Sequence, residues 1–337
     1  MATRTITENV NQAVQDFDNI KQAIIDKGIE VPNGTPTSEY STKIGDIQGG
    51  VTIEGLDTST VTDFSYFAQK DRFTEEQLQN INTKIGTNFS CMFDSCKALT
   101  TIPPLNTSSG TNFGYMFQNC KILTTIPQLD TSNGTIFGYM FNGCSSLTTV
   151  PKLNTSNGFS FVYMFQNCTS LTTIPQLDTS SGTSFYSMFN NCSNLTTIPQ
   201  LDTSNGTNFG YMFYGCSSLT TVPKLNTSKG TDFSSMFRNC TRLTTLELTS
   251  FISSQYMFSY CPALENLTVT GTITVNNNYL NLSSSPLLTV ESLMSVINAL
   301  SDNTGKTTYK VTLGATNLAK LTDEQKQIAI NKNYTLA

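Results

Sequence analysis

Seven cysteines, Cys96, Cys120, Cys144, Cys168, Cys192, Cys216 and Cys240, stand 24 residues apart. Thiolates can hold a metal, close disulfides or attack an electrophile, so any chemistry in this chain would begin with them. Zinc needs ligands clustered at short spacing, such as C-x-x-C pairs, and only Cys91 and Cys96 come near one another. Disulfides between successive repeats would lie within Cα reach, but side chains stacked in parallel register point the same way and fit the required dihedral poorly. Nine cysteines is also an odd number. The chain has no histidine, the most versatile general base and the commonest metal ligand. Free cysteine is a small hydrophobe, among the most buried residue types. The series therefore reads as a structural cysteine ladder, with no metal and no cofactor.

A second series precedes the repeated methionines: Tyr115, Tyr139, Tyr163, Ser187, Tyr211, Ser235 and Tyr256. Tyrosine offers an apolar body with a polar tip, which suits sugar rings or a partner surface. Tyr115, Tyr139, Tyr163, Tyr211 and Tyr256 are the candidate ligand-binding stripe; the same rings could simply shield the convex side of a stack. A third series pairs threonines, as at Thr100 and Thr101, Thr124 and Thr125, or Thr148 and Thr149, beside Gln128, Lys152, Gln176, Gln200 and Lys224. That polar face could recognise a ligand, or its threonines could be there as good strand formers. Carboxylates are sparse and unpaired, and no phosphate loop, metal-binding helix or nucleophile elbow is present. No catalytic residue can be named, and the chain is not expected to be an enzyme.

The elements that position these series follow from one repeat, "NFGYMFQNCKILTTIPQLDTSNGT" at 112–135. Phe113, Met116, Phe117 and Cys120 fall at i, i+3, i+4 and i+7, which predicts a two-turn helix. Ser95, Asn119, Gly143, Asn167, Asn191, Gly215 and Asn239 precede the cysteines, and most are residues that tolerate a left-handed backbone, as a helix cap needs. Leu123-Thr124-Thr125-Ile126-Pro127 reads as a short parallel strand ended by proline. The loop "LDTSNGT" supplies a turn, with Gly134 where positive φ is cheap. One such unit cannot bury its apolar stripe alone, so the expected fold is an α/β solenoid of stacked 24-residue rungs. The layout has three parts: an amino-terminal segment at 1–48, the solenoid at 49–272 and a capping region at 273–337.

Only 13% of the 337 residues are charged, and a net charge of −5 argues against a nucleic-acid partner. No apolar run approaches the ~20 residues of a membrane span, so no membrane insertion is expected. "MATRTITENVNQ" has no apolar core for a secretory leader. Ile6, Val10, Ala13, Phe17, Ile20 and Ile24 step by 4, 3, 4, 3 and 4, a heptad seam opened by a Thr5-x-x-Glu8 capping box. It predicts self-association, with a trimer the weakly preferred homo-oligomer; the alternative is an amphipathic helix packed on the end of the stack. Near the carboxy terminus, Val290, Leu293, Ile297 and Leu300 mark a helix. Tyr309, Val311 and Leu313 mark a strand, and Thr322-x-x-Gln325 opens another helix before Asn333.

The phrase L-x-x-I-P-x-L…F-x-x-M-F-x-x-C-x-x-L, across roughly 90–270, resembles the BspA-like class of bacterial leucine-rich repeats. "LDTSTVTDFSYF" at 56–67 looks like a decayed first rung and "QYMFSYCPAL" at 255–264 a shortened last one. Gly28-Ile29-Glu30-Val31-Pro32, Gly34-Thr35-Pro36, Tyr40 and Ile44 resemble a segment of tail-associated proteins of bacteriophages of Gram-positive bacteria. These resemblances imply a virion appendage, attached to other virion proteins through its amino-terminal segment and contacting a host-surface glycan or protein. They leave open a purely structural virion component and a bacterial surface adhesin.

Overall fold

The structure, a computed structural model, describes residues 58–79 and 81–337. Ile6, Val10, Ala13, Phe17, Ile20 and Ile24, with the segment at 27–47, lie outside the described residues.

Each rung begins with a bridge to its neighbours, running in parallel from Asp63 through Asn88, Asn112, Ile136, Ser160, Ser184 and Asn208 to Asp232. The next residues of the rung do not form the expected two-turn helix. Met116, Gln118 and Cys120 donate their N–H groups three residues back, to Phe113, Tyr115 and Phe117. The alternate residues Phe113, Tyr115, Phe117 and Asn119 donate instead to the next rung, at Ile136, Gly138, Met140 and Asn142. Two left-handed residues per rung make this possible, at φ 60° for Tyr115 and 58° for Asn119. The result is a run of tight turns in which half the N–H groups close turns and half stitch rungs together. An α-helix uses every interior N–H within itself, and its ~10 Å diameter cannot repeat at the ~4.8 Å spacing of hydrogen-bonded rungs. The apolar spacing is the same in both conformations, so periodicity could not separate them.

Inside the stack each repeat position becomes a column. Phe113, Met116, Phe117, Cys120 and Leu123 are fully buried, as are their counterparts in the following five rungs. Phenylalanine rings stack at 5.7 Å between Phe89 and Phe113 and at 5.7 Å between Phe117 and Phe141. A column the sequence did not single out is polar: Thr107, Thr131, Thr155, Thr179 and Thr203 are all buried. Each donates its hydroxyl to a backbone carbonyl of the next rung, as Thr155 does to Asp178 at 2.8 Å. Gly134 is not there for positive φ, which it does not have. A Cβ on it would stand 2.5 Å from the Phe137 ring and 3.0 Å from the Thr131 carbonyl, so close packing is what requires glycine.

The opposite side is less strand-like than expected. Leu123, Ile126 and Leu129 are buried while Thr124 and Thr125 both face out. A burial period of three is that of an extended polyproline-type segment, and Pro127 lies within it. β1 (Thr221–Leu225), β2 (Thr245–Leu248) and β4 (Asn266–Val269) form a parallel sheet in the order β1-β2-β4, with β3 (Phe251–Ile252) paired to β5 (Ile273–Thr274). Within the three-stranded sheet, pairing is regular only between the two strands that lack proline, β2 and β4; β1 contains Pro223, and its register with β2 is broken between Val222 and Leu225. Proline has no N–H to donate, so rungs that carry one lose ladder bonds. Gln128, Gln176 and Gln200 compensate, each sending its side-chain amide to a carbonyl of the next rung.

Side chains occupy both open edges of the described stack. α1 (Glu75–Leu78), preceded by a 3-10 turn at Gln69–Asp71, places Glu75 Oε1 2.6 Å from the Thr100 N–H and 2.9 Å from that of Thr101. Asp71 accepts from the N–H groups of Lys97 and Ala98. At the far edge, α2 (Val290–Ala299) offers Ser292 Oγ to the Leu267 N–H and Ser295 Oγ to that of Val269. Beyond it come β6 (Tyr309–Val311), α3 (Ala315–Leu318), α4 (Asp323–Asn331) and β7 (Tyr334–Leu336), with β6 and β7 parallel. Thr322 and Gln325 form a capping box on α4.

The packing sets three measurable outcomes. Gly134→Ala should destabilise by about 1–3 kcal/mol through overpacking, read as a lower denaturant midpoint. Thr155→Val removes the hydroxyl and leaves the Asp178 carbonyl unpaired, and should lose about 1–3 kcal/mol in the same assay. Hydrogen bonds from Thr100 and Thr101 hold the Glu75 carboxyl down at about 2. A depressed folded value means stability present above the ordinary carboxylate range and lost as pH falls from about 4.5 toward 2. Protection factors of the Thr100 and Thr101 amides should fall across that window, and Glu75→Gln should abolish the dependence.

Candidate functional site

The tyrosine column becomes a continuous aromatic ribbon on the turn side. Tyr115 and Tyr139 stack at 4.4 Å, and Tyr163 lies tilted against Tyr139 at 4.5 Å. Serine replaces tyrosine at Ser187, and the neighbouring Tyr186 bridges the gap edge-on, 5.2 Å from Tyr163 and 5.7 Å from Tyr211. The second gap, at Ser235, is spanned by Arg238. Its guanidinium lies over Tyr256 at 5.0 Å, Tyr260 at 5.8 Å and Tyr214 at 5.9 Å. Tyr163 and Tyr211 are thus joined to Tyr256 through residues that the 24-residue register did not select.

The backbone explains why the ribbon projects from this line. Tyr115, Tyr139, Tyr163, Tyr211 and Tyr256 all sit at φ between 57° and 61°. Bulky residues rarely occupy that region, at a cost of about 1–3 kcal/mol each, so tyrosine is not there for backbone preference. Tyr115 is 36% exposed, Tyr256 51% and Tyr260 60%, while Tyr139, Tyr163, Tyr186 and Tyr211 are half-buried. Burial, aided by the neighbouring Tyr163 and Tyr211 hydroxyls and Asp232, pushes Tyr186 up to about 12, and burial likewise raises Tyr139. Both hydroxyls are therefore neutral at physiological pH.

Cys120, Cys144, Cys168, Cys192, Cys216 and Cys240 lie buried behind the ribbon as free thiols. Each donates to the carbonyl of a phenylalanine in the preceding rung, as Cys168 does to Phe141 at 3.0 Å, and Cys96 donates to Ala68. This donor role was not evident from the sequence. Desolvation pushes the Cys144 and Cys192 thiols up to about 12 and Cys168, Cys216 and Cys240 well above the ordinary value, far from a reactive thiolate. Among the described residues, no cluster of three or more cysteine or acidic side chains could hold a metal ion. No helix among them is long and apolar enough to cross a membrane.

On the threonine face, the glutamine amides are bound to backbone carbonyls and Lys224 pairs with Glu247 at 2.6 Å. The ribbon, with its row of adjoining and partly exposed rings, is the candidate site. Tyr186, Tyr214, Tyr260 and Arg238 escaped the sequence reading, yet a signal existed: the two repeats with serine in place of tyrosine, at Ser187 and Ser235, carry Tyr186 and Arg238 within three residues.

No curated protein matches this chain significantly. Among solved structures, similarity extends to a leucine-rich repeat protein of Treponema pallidum, at 19% identity and TM-score 0.34, covering 54% of this chain and 72% of that one. A leucine-rich cell surface protein of Faecalibacterium prausnitzii A2-165 matches at 15% identity and TM-score 0.27, covering 71% and 77%. An internalin of Listeria monocytogenes str. 4b F2365 matches at 11% identity and TM-score 0.27, covering 79% and 84%. Scores this low transfer no function. The family described as "Mycoplasma protein of unknown function, DUF285" matches at residues 40–152, 101–197 and 160–270, in line with the BspA-like leucine-rich repeat phrase. Those three overlapping matches run over the whole series of rungs, and the chain belongs to the DUF285 family.

Proposed function

We propose that this protein is a non-enzymatic adhesion module whose tyrosine ribbon binds a saccharide or protein on a host cell surface. The observation that carries this reading is the line of rings from Tyr115 to Tyr214, joined through the Arg238 guanidinium to Tyr256 and Tyr260, kept up at backbone positions that disfavour tyrosine and bridged at both serine-bearing repeats. Exposed aromatic rows suit sugar faces, whose axial C–H groups pack on a ring while hydroxyls bond its polar tip. In this reading the solenoid is an appendage of a bacteriophage particle, attached to other virion proteins through residues 1–48. That setting is supported only by the tail-protein resemblance at 27–47; a bacterial surface adhesin would use the ribbon in the same way.

A second reading, a structural virion component without a ligand, draws support from the 4.4 Å contact of Tyr115 and Tyr139, rings that already cover one another. The test is binding of the labelled full chain to intact cells of a panel of Gram-positive strains. Alongside goes the variant with Tyr115, Tyr139, Tyr163 and Tyr211 changed to asparagine, which removes the rings yet tolerates positive φ. Strain-selective binding, lowered at least about tenfold in the variant, is the expected result, since stacking on each ring is worth about 0.5–1.5 kcal/mol. Selective binding that survives the change moves the site to the threonine face or the carboxy-terminal region. Failure to bind any strain favours the structural reading.

A further inference from the structure

Among the described residues, Arg238 is the cation that lies over aromatic rings. Its guanidinium is stacked against three tyrosines, its Nε–H is enclosed without an acceptor, and its side chain makes no hydrogen bond or ion pair among the described residues. Lys224, Lys326, Lys320 and Lys332, by contrast, each find a carboxylate or backbone carbonyls. Of its nitrogens only Nε is fully enclosed, and among the described residues the terminal amino groups have no hydrogen-bond acceptor.

Filling the gap left by Ser235 would not by itself need an arginine, because Tyr186 fills the equivalent gap at Ser187 without any charge. A cation partly withdrawn from water and left unneutralised is costly, and an anion that reaches it is bound more strongly than at a solvated lysine. Guanidinium presents a planar fork that matches carboxylate or phosphate oxygens. Tyr256 and Tyr260, the most exposed rings of the ribbon, flank that fork and offer apolar faces next to the charge.

We infer that Arg238, Tyr214, Tyr256 and Tyr260 form a subsite for an acidic saccharide, a sugar whose carboxylate or phosphate pairs with the guanidinium while its ring packs on Tyr256 and Tyr260. The inference rests on the adhesion reading of the ribbon and gives it a ligand class. The anion pairs with the terminal amino groups of the guanidinium.

Calorimetric titration of the full chain tests it with four probes: an oligouronate, the same oligosaccharide with its carboxyls reduced to alcohols, a phosphodiester-linked sugar oligomer, and inorganic phosphate. The oligouronate or the phosphate-linked oligomer should bind at least about tenfold more tightly than the reduced sugar, the scale of a charge-assisted hydrogen bond, and should weaken as salt rises. The stronger of the two identifies the source of the anion. Arg238→Gln should erase the gap between the acidic and the reduced sugars. Arg238→Lys, which keeps charge but loses the fork, should fall between, and near-UV circular dichroism checks that each variant is folded. Equal affinity for the oligouronate, the phosphate-linked oligomer and the reduced sugar in the wild-type chain overturns the inference, as does a gap that survives in folded Arg238→Gln. Phosphate binding as tightly as either acidic oligomer overturns the saccharide assignment. If the reduced sugar still binds, and the four-tyrosine variant loses it, the ribbon stands although this subsite falls. If no sugar binds, both readings fail for saccharides.

Discussion

The stack depends on backbone N–H groups that leave their own rung. On the turn side, alternate residues such as Phe113, Tyr115, Phe117 and Asn119 donate to the next rung while the residues between them close turns within their own. A buried amide without a partner is costly, so this alternation must be complete, and it is what forces a left-handed residue at two places in every rung. Asparagine and glycine adopt that backbone readily at one of them. Tyrosine does not at the other, and its strain is offset by the rung-to-rung bonds its neighbours make.

Once rungs are stitched at this interval, identical side chains must meet their own copies, and the repeat keeps only residues that tolerate doing so. Phenylalanine stacks on phenylalanine. Cysteine is small enough for the space behind the turns and gives its proton to a carbonyl of the preceding rung. Threonine does the same in the opposite direction along the loop column. Charge is excluded from all these columns, since like charges at such distances would repel. The same logic bears on the ends, where no further rung exists: carboxylates of Asp71 and Glu75 accept the unclaimed N–H groups at one edge, and hydroxyls of Ser292 and Ser295 do so at the other.

The aromatic ribbon is a by-product of that geometry turned outward. Tyrosine lines the outside of the left-handed position, and where the line is broken at Ser187 and Ser235 it is restored by Tyr186 and Arg238, from different positions in the repeat. Restoration from unrelated positions points to continuity of the surface, rather than the repeat itself, as what the chain maintains. A protein whose interior is nearly invariant from rung to rung can vary only such outer positions, and any recognition has to reside there.

The sequence by itself determined the period, the stacking, the burial of Phe113, Met116, Phe117 and Cys120, and the left-handed backbone at Asn119, because each is set by residue type at a fixed interval. The helical spacing near Val290 and the Thr322-x-x-Gln325 signal were equally local, and the elements lie at Val290–Ala299 and Asp323–Asn331. Only the tertiary structure decided between helix and stitched turns. Both bury the same side chains, and they differ only in whether an N–H bonds within its rung or to the next, a choice that exists only when a neighbouring rung is present. The role of Gly134 was decided in the same way, by a phenylalanine ring that packs against it rather than by its own backbone. So was the place of Arg238, whose three tyrosines come from its own rung's neighbours on either side and meet it only once the rungs are stacked.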